Sequence, residues 1–405
     1  MKILMPNHFP LQGSGSGIYA MNVAAELVQA GHEVMAIVPE HEPISDYPFE
    51  TRTILFDNGA GNDAQLDFNF PCFTTHPKSN TTFAELTDEQ LEAYVQAWRK
   101  AITDAVADFQ PDVIHAHHVW VTPFIANETD VPYVITCHGT DLIGFAECPR
   151  YRDMAMTAVN GAKKVIAISR QVEADVASTY GLAPDRIKRI WNGFGVEHFK
   201  LIPDATKAAV LAEHGLPESD GKIVSFAGKF TELKCIDVLL KAAAIYEKQI
   251  PGVMTLLAGD GQLFDEMHAL RDELALTGIH FLGHQTQDKV ARIHNASDLA
   301  VVPSRFEAFG LVAVEALACG VPVVASAVGG LPDFINDEVG GLVPAEDPEA
   351  LAAAIISELQ QNTKQTKGPY ANKYAYKSFT WKTQVAMMID LYTEAISGGE
   401  TRRFR

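Results

Sequence analysis

Short apolar runs alternate with stretches of helical spacing along almost the whole chain, and alternation of this kind leaves few folds open. Residues 2–6 (KILMP) read as a buried strand. A loop follows (NHFPLQGSGSG), then a helix near 18–30 stopped by Gly31, then the strand EVMAIVP. Together they form a βαβ unit. More strands are expected at PDVIHAHH, PYVITCHG and KKVIAIS, and a helix over 84–108 capped at Thr87. A second series begins near 222, with strands KIVSFAG, VMTLLAGDG, IHFLGH, DLAVVPS and VPVVASAVGG separated by helices. The expected fold class is α/β, with two doubly wound, Rossmann-like domains facing across a cleft. The chain of 405 residues is long enough for both. The expected division is 1–195, a polar linker at 196–221, and 222–380. A last helical segment near 381–396 packs either on the second domain or back on the first. Residues 45–83 fit neither period, and PCFTTHPKSNTT reads as a long surface loop.

Composition closes other classes. With 47% apolar and 20% charged residues the chain is not a disordered one. The net charge of −19 is shared by both halves, so no basic footprint suits nucleic acid or an anionic membrane. Peripheral membrane contact is disfavoured, and a homodimer stays open. No apolar run reaches membrane-spanning length. The start, MKILMPNHFP, lacks a signal-peptide layout, and the five cysteines form no CxxC pair. Reduced thiols and a cytoplasmic location are the expectation.

One carboxylate stands out. Glu315 lies in SRFEAFGLVAVEALACGVPVVAS, and its helical neighbours are Leu311, Val312, Ala318 and Cys319. None of these can pair with a charge, and an unpaired buried carboxylate is costly. Protonation, a cation from elsewhere in the fold, or ligand hydroxyls in a cleft would each resolve it. Spacing alone leaves both a ligand role and a structural ion pair open. Glu307 precedes a helix start near Gly310, where free amides at 309–311 can meet an anion. In AGKFTELKC, Lys229 ends a strand and Lys234 opens the next helix; by themselves they read as solvated surface charges. GSGSG at 13–17 is a weak phosphate-loop signal, with a flexible turn as the alternative. HAHH at 115–118 invites a zinc reading but brings no carboxylate or thiol to complete it.

The spacing E-x7-E at Glu307 and Glu315, followed by GVPVVAS and VGGLPDFI, resembles the retaining glycosyltransferases of family four, which have the GT-B fold. GHEVMAIVP, PDVIHAHH, HGTD, VIAISRQVEADV, WNGFGVEHF, AGKFTELKCIDVLLKA, LLAGDGQL and FLGH follow in that family's order. The resemblance implies roles. Glu315 holds the ribose of a nucleotide-sugar, and Glu307 lies against the donor sugar. The amides around Phe309, Gly310 and Leu311 touch the diphosphate or the sugar. Lys229 and Lys234 neutralise the diphosphate, with Lys229 in place of the family's usual Arg. Gly15, Ser16 and Gly17 lie by the donor phosphate and the acceptor, His138 beside the transferred sugar, and Asn192 in the N-G turn. Gly283 belongs to the segment that reads the base through its backbone. Asp141 and His76 are expected on the acceptor. Cys235 stands where the family usually has Gly, and Gly195 where it has Asp. No D-x-D pair occurs, so no metal and no cofactor beyond the donor is expected.

The expected activity is retaining transfer of a hexosyl or N-acetylhexosaminyl group. The donor is a nucleoside-diphosphate sugar and the acceptor a hydroxyl on a soluble small molecule or saccharide. One rival is a nicotinamide-dependent dehydrogenase using GSGSG for pyrophosphate and Glu40 for ribose. The others are a non-catalytic binding protein and a nucleotide-sugar epimerase of the same fold.

Overall fold

The structure, a computed structural model, describes residues 1–74 and 76–400. It divides into two units. One is Met1–Trp191 together with the chain from Gln384 onward; the other is Asn192–Thr383.

The first unit contains β1 (Lys2–Pro6), β2 (Glu33–Glu40), β3 (Glu50–Leu55), the two-residue strands β4 (Pro71–Cys72) and β5 (Thr81–Thr82), β6 (Val113–His117), β7 (Tyr133–Cys137), β8 (Lys164–Ala167) and β9 (Ile187–Arg189). β4 pairs only with β5; the others form one parallel sheet in the order β3-β2-β1-β6-β7-β8-β9. β6 and β7 are buried along their whole length, as parallel strands covered on both faces must be. Helix Asp88–Phe109 starts at Thr87 with a full capping box, in which Thr87 and Gln90 satisfy each other's backbone amides.

The second unit holds β10 (Ile223–Ala227), β11 (Met254–Ala258), β12 (Ile279–Gly283), β13 (Leu299–Val302), β14 (Val323–Ser326) and β15 (Gly340–Val343). They are parallel in the order β12-β11-β10-β13-β14-β15. Helix Ile236–Gln249 lays Leu239, Leu240 and Ala243 on Val224, Leu257 and Leu299 of this sheet. The strand order reverses between β10 and β13, which makes the carboxyl ends of these two strands the switch point where doubly wound sheets bind ligands.

One stretch differs from the sequence reading. Residues 196–221 are not a detached linker. They carry helix Lys207–Glu213, whose Val210 and Leu211 bury against Ile223, Met254 and Leu256 of the second unit. The stretch looks polar because only one face of a short helix is covered. Helix Trp381–Glu400 runs into the first unit, where Tyr392 Oη meets His115 Nδ1 at 2.7 Å and Glu394 pairs with Lys164 at 3.1 Å. The five cysteines are free and buried. Among the described residues, no helix is long and apolar enough to cross a membrane.

Candidate functional site

The loop after β10 carries Lys229 and Lys234, the loop after β13 carries Glu307, and the helix that follows, Leu311–Ala318, carries Glu315. The loop after β10 is laced to the one after β11: Phe230 N–H donates to Asp260 C=O at 2.8 Å, and Gly228 N–H to Ala258 C=O at 3.0 Å. Lys229 projects from this brace, exposed, with no ion pair or side-chain hydrogen bond among the described residues. Lys234 ends a short 3-10 turn, Glu232–Lys234, and its ammonium is paired with Glu307 Oε1. Arg305 N–H also donates to Leu233 C=O at 2.8 Å, so backbone and side chain join the two loops.

Cys235 follows with φ +48° and ψ 49°, left-handed, at the start of helix Ile236–Gln249. A side chain costs about 1 kcal/mol in that conformation, which is the physical reason for a glycine there in the resembling family. Here the thiol is buried and donates to Glu232 C=O at 3.4 Å.

Glu307 is 9% exposed and also accepts from Ser304 Oγ at 2.9 Å. Its carbonyl takes Gly330 N–H at 3.0 Å. Gly329, at φ +54°, permits that approach, since a Cβ there would sit 1.7 Å from Glu307 O. Gly310, at φ +99°, plays the same part against Leu331, whose Cδ2 would lie 2.5 Å from a Cβ. Phe309 is buried against Phe334 at 5.2 Å between ring centroids. Helix Leu311–Ala318 then starts with no side-chain cap. Its first amides, including that of Leu311, are left for an anion, with the positive end of the helix dipole behind them.

Glu315, one helical turn on, is half-buried. Among the described residues no side chain hydrogen-bonds or ion-pairs with it. Its apolar surroundings push the carboxyl up from 4.5 to about 8. A structural ion pair, left open by spacing alone, is absent among the described residues. Gly283 ends β12 at φ +67° and accepts Gly259 N–H at 2.8 Å. Asn192 is half-buried in the second unit, its Oδ1 without a donor.

In the first unit, helix Gly15–Gln29 begins in the glycine-rich turn: Ser14 Oγ caps Gly17 N–H at 3.0 Å, leaving the Gly15 and Ser16 amides uncapped. His138, after β7, is 8% exposed; its Nε2 lies 3.1 Å from His117 Nδ1, and Tyr19 meets its ring edge-on at 5.0 Å. His8, His115, His117 and His118 are fully buried around it. Burial pushes His8, His115 and His138 down to about 3, and pushes His117 and His118 well below the usual histidine value. The HAHH run is thus part of a packed cluster of neutral imidazoles. Among the described residues, no His, Cys, Asp and Glu side chains come together as a metal-binding group.

Asp141 departs from the acceptor contact expected of it. It is wholly buried, and its oxygens accept His138 N–H at 3.2 Å, Gly139 N–H at 2.9 Å and Val119 N–H at 2.8 Å. It locks the turn that presents His138; backbone donors, invisible to sequence reasoning, took its capacity. His76 is 5% exposed, stacked on Phe9 at 6.1 Å, with Nδ1 accepting Lys78 N–H at 3.1 Å. Its ring is packed rather than presented. Glu40, the ribose ligand of the dehydrogenase reading, has both oxygens 3.0 Å from Lys78 Nζ. Ser304 was missed as a candidate; an S-x-x-E spacing into Glu307 was the available signal.

The comparisons bear on the family and the fold. Residues 13–198 match the family model for Glycosyltransferase Family 4, and residues 211–377 that for Glycosyl transferases group 1. A D-inositol 3-phosphate glycosyltransferase of Saccharomonospora viridis is 31% identical over 342 residues, 78% of each chain. One of that name from Mycolicibacterium smegmatis is 32% identical over 345 residues, 80% of this chain and 77% of that one. The sucrose-phosphate synthase structure from Thermosynechococcus elongatus superposes with a TM-score of 0.75 at 25% identity, covering 98% of this chain and 100% of that one. Motif order, two parallel doubly wound sheets of the GT-B kind and similarity across both units converge, and the chain belongs to the family-four glycosyltransferases.

Proposed function

We propose that the chain is a retaining, metal-independent glycosyltransferase that moves a hexosyl or N-acetylhexosaminyl group from a nucleoside-diphosphate sugar to an acceptor hydroxyl. The observation that carries this reading is the grouping at the β10/β13 switch point. A lysine–glutamate pair and an uncapped helix start stand beside a carboxylate that no side chain among the described residues hydrogen-bonds or ion-pairs. Glu315 takes ribose hydroxyls, Glu307 takes sugar hydroxyls, and the first amides of helix Leu311–Ala318 take a phosphate oxygen. Lys229 and Lys234 face the diphosphate. The acceptor is assigned to the first unit, where the glycine-rich turn and His138 keep the roles that the resemblance implies.

The chemistry follows from charge. As the glycosidic C–O bond breaks, negative charge grows on the departing diphosphate. One cation about 4 Å away stabilises it by about 4 kcal/mol at an effective dielectric near 20, and fixed cations need no reorganisation. The acceptor hydroxyl attacks on the face the phosphate leaves, and the phosphate oxygen takes its proton. The anomeric configuration is retained, and no protein base is required. Lys234→Ala is expected to lower turnover at least about tenfold, equivalent to about 1.4 kcal/mol of barrier. Steady-state kinetics at the wild-type rate would remove Lys234 from the site.

A thermal-shift panel of UDP, GDP and ADP with their sugars, then mass spectrometry of products with and without EDTA, tests the whole reading. The acceptor panel includes D-inositol 3-phosphate, which the relatives' name carries. One base family stabilising the protein, and a glycoside plus free nucleotide formed in EDTA, is the expected result. Epimerised donor without glycoside, or stabilisation by NADH alone, contradicts it.

A further inference from the structure

Ser304 comes just after β13 and is 1% exposed. Its hydroxyl donates to Glu307 Oε1 at 2.9 Å and to no other acceptor among the described residues. The ammonium of Lys234 goes to that same oxygen. Two donors therefore converge on Oε1, while Oε2 receives no protein donor among the described residues. The main chain at Glu307 is held separately, by Gly330 N–H on its carbonyl at 3.0 Å. That bond leaves the side-chain torsions of Glu307 unfixed, and a buried donor on one side of Oε1 opposes rotation of the carboxylate. Without this donor, Lys234 can swing across and bridge both oxygens. Such a bridge would occupy the oxygen otherwise free for substrate.

We propose that Ser304 is a positioning residue for the donor sugar: its hydroxyl holds Glu307 so that Lys234 engages one oxygen and Oε2 stays open to sugar hydroxyls. This rests on the reading of Glu307 as the sugar's ligand. Ser304→Ala leaves no unpaired donor behind, and Glu307 Oε1 keeps its lysine, so folding is little affected.

Isothermal titration without acceptor tests the proposal. The probes are UDP, GDP and ADP beside UDP-glucose, UDP-N-acetylglucosamine, GDP-mannose and ADP-glucose, using whichever pairs the wild type binds. Ser304→Ala is expected to weaken the sugar nucleotide about tenfold, the loss of one charge-assisted hydrogen bond. The matching nucleoside diphosphate, which lacks the sugar, shifts less than about twofold. Ser304→Thr, which keeps the hydroxyl, recovers most of the affinity, and Ser304→Ala costs nothing further in a Glu307→Gln background. Equal weakening of both ligands, no weakening, or an additive loss in the double variant would overturn the role of Ser304. Should Ser304→Ala fail to fold, Ser304→Cys, with similar volume and a weak donor, carries the same expectations. A Glu307→Gln protein with undiminished affinity for the sugar nucleotide, or a wild type that binds none of the pairs, overturns the assignment of Glu307 itself.

Discussion

Glu315→Gln gives a protein that is more stable without ligand and, above pH 8 where the wild-type carboxylate is already formed, binds its nucleotide-sugar about ten- to a hundredfold less tightly. Both effects have one cause. The Glu315 carboxyl titrates near pH 8 in the folded chain, because burial opposes its charge, against 4.5 in the unfolded chain. The folded state thus holds the extra proton between these values, and stability falls as pH rises through that window. At pH 7 the penalty is about 3 kcal/mol, and at pH 5 about 1 kcal/mol. A neutral amide of similar shape never bears it, so the gain in melting temperature grows from pH 5 to pH 7. A carboxylate gripping two ribose hydroxyls makes charge-assisted bonds worth about 1.5–3 kcal/mol, which the amide forfeits. Wild-type affinity should therefore increase as pH rises toward 8, by up to about tenfold per unit, with a proton released on binding. The nucleotide-sugar is the right probe, because its diphosphate has no proton of its own to lose in this range. A pH-independent affinity, or a Glu315→Gln protein that binds normally, would assign the ribose to other groups.

The second large effect lies in the first unit. His8, His115 and His138 are held near 3 by burial, against 6.5 unfolded. Their contribution is fully present above pH 6.5 and is lost as pH falls toward 3. Between pH 7.5 and 5.5 the three together withdraw about 4 kcal/mol, a large share of a typical domain's stability. His117 and His118 act in the same direction. Asp141, raised by burial, opposes them as a single group. Trp98 and Trp120 are fully buried in the same unit and report on it. Their fluorescence melt should drop by roughly 8–16 °C over that interval. A melt steady to within about 2 °C would show that the imidazoles accept protons without unfolding.

The parts of this molecule legible in its sequence are those written in local periods. The strand–helix alternation, the Thr87 cap and the uncapped start before Glu315 all follow from spacing. Three features did not, because long-range partners decide them. Asp141 is consumed by amides from the loop after β6 as well as from its own turn. Glu40 is met by Lys78 from the loop region that fitted no period. Residues 196–221 were assigned by their polarity, yet one buried face of a seven-residue helix was enough to anchor them. Ser304 sits between the two cases: its distance from Glu307 along the chain is local, but its importance shows only once Lys234 is seen on the same oxygen.

A crystal structure with intact nucleotide-sugar bound measures the central claim most directly. The account places the ribose hydroxyls about 3 Å from the Glu315 carboxylate. It places the diphosphate against Lys229, Lys234 and the Leu311 amide. A nucleotide seated elsewhere, with Glu315 still without a partner, would contradict it.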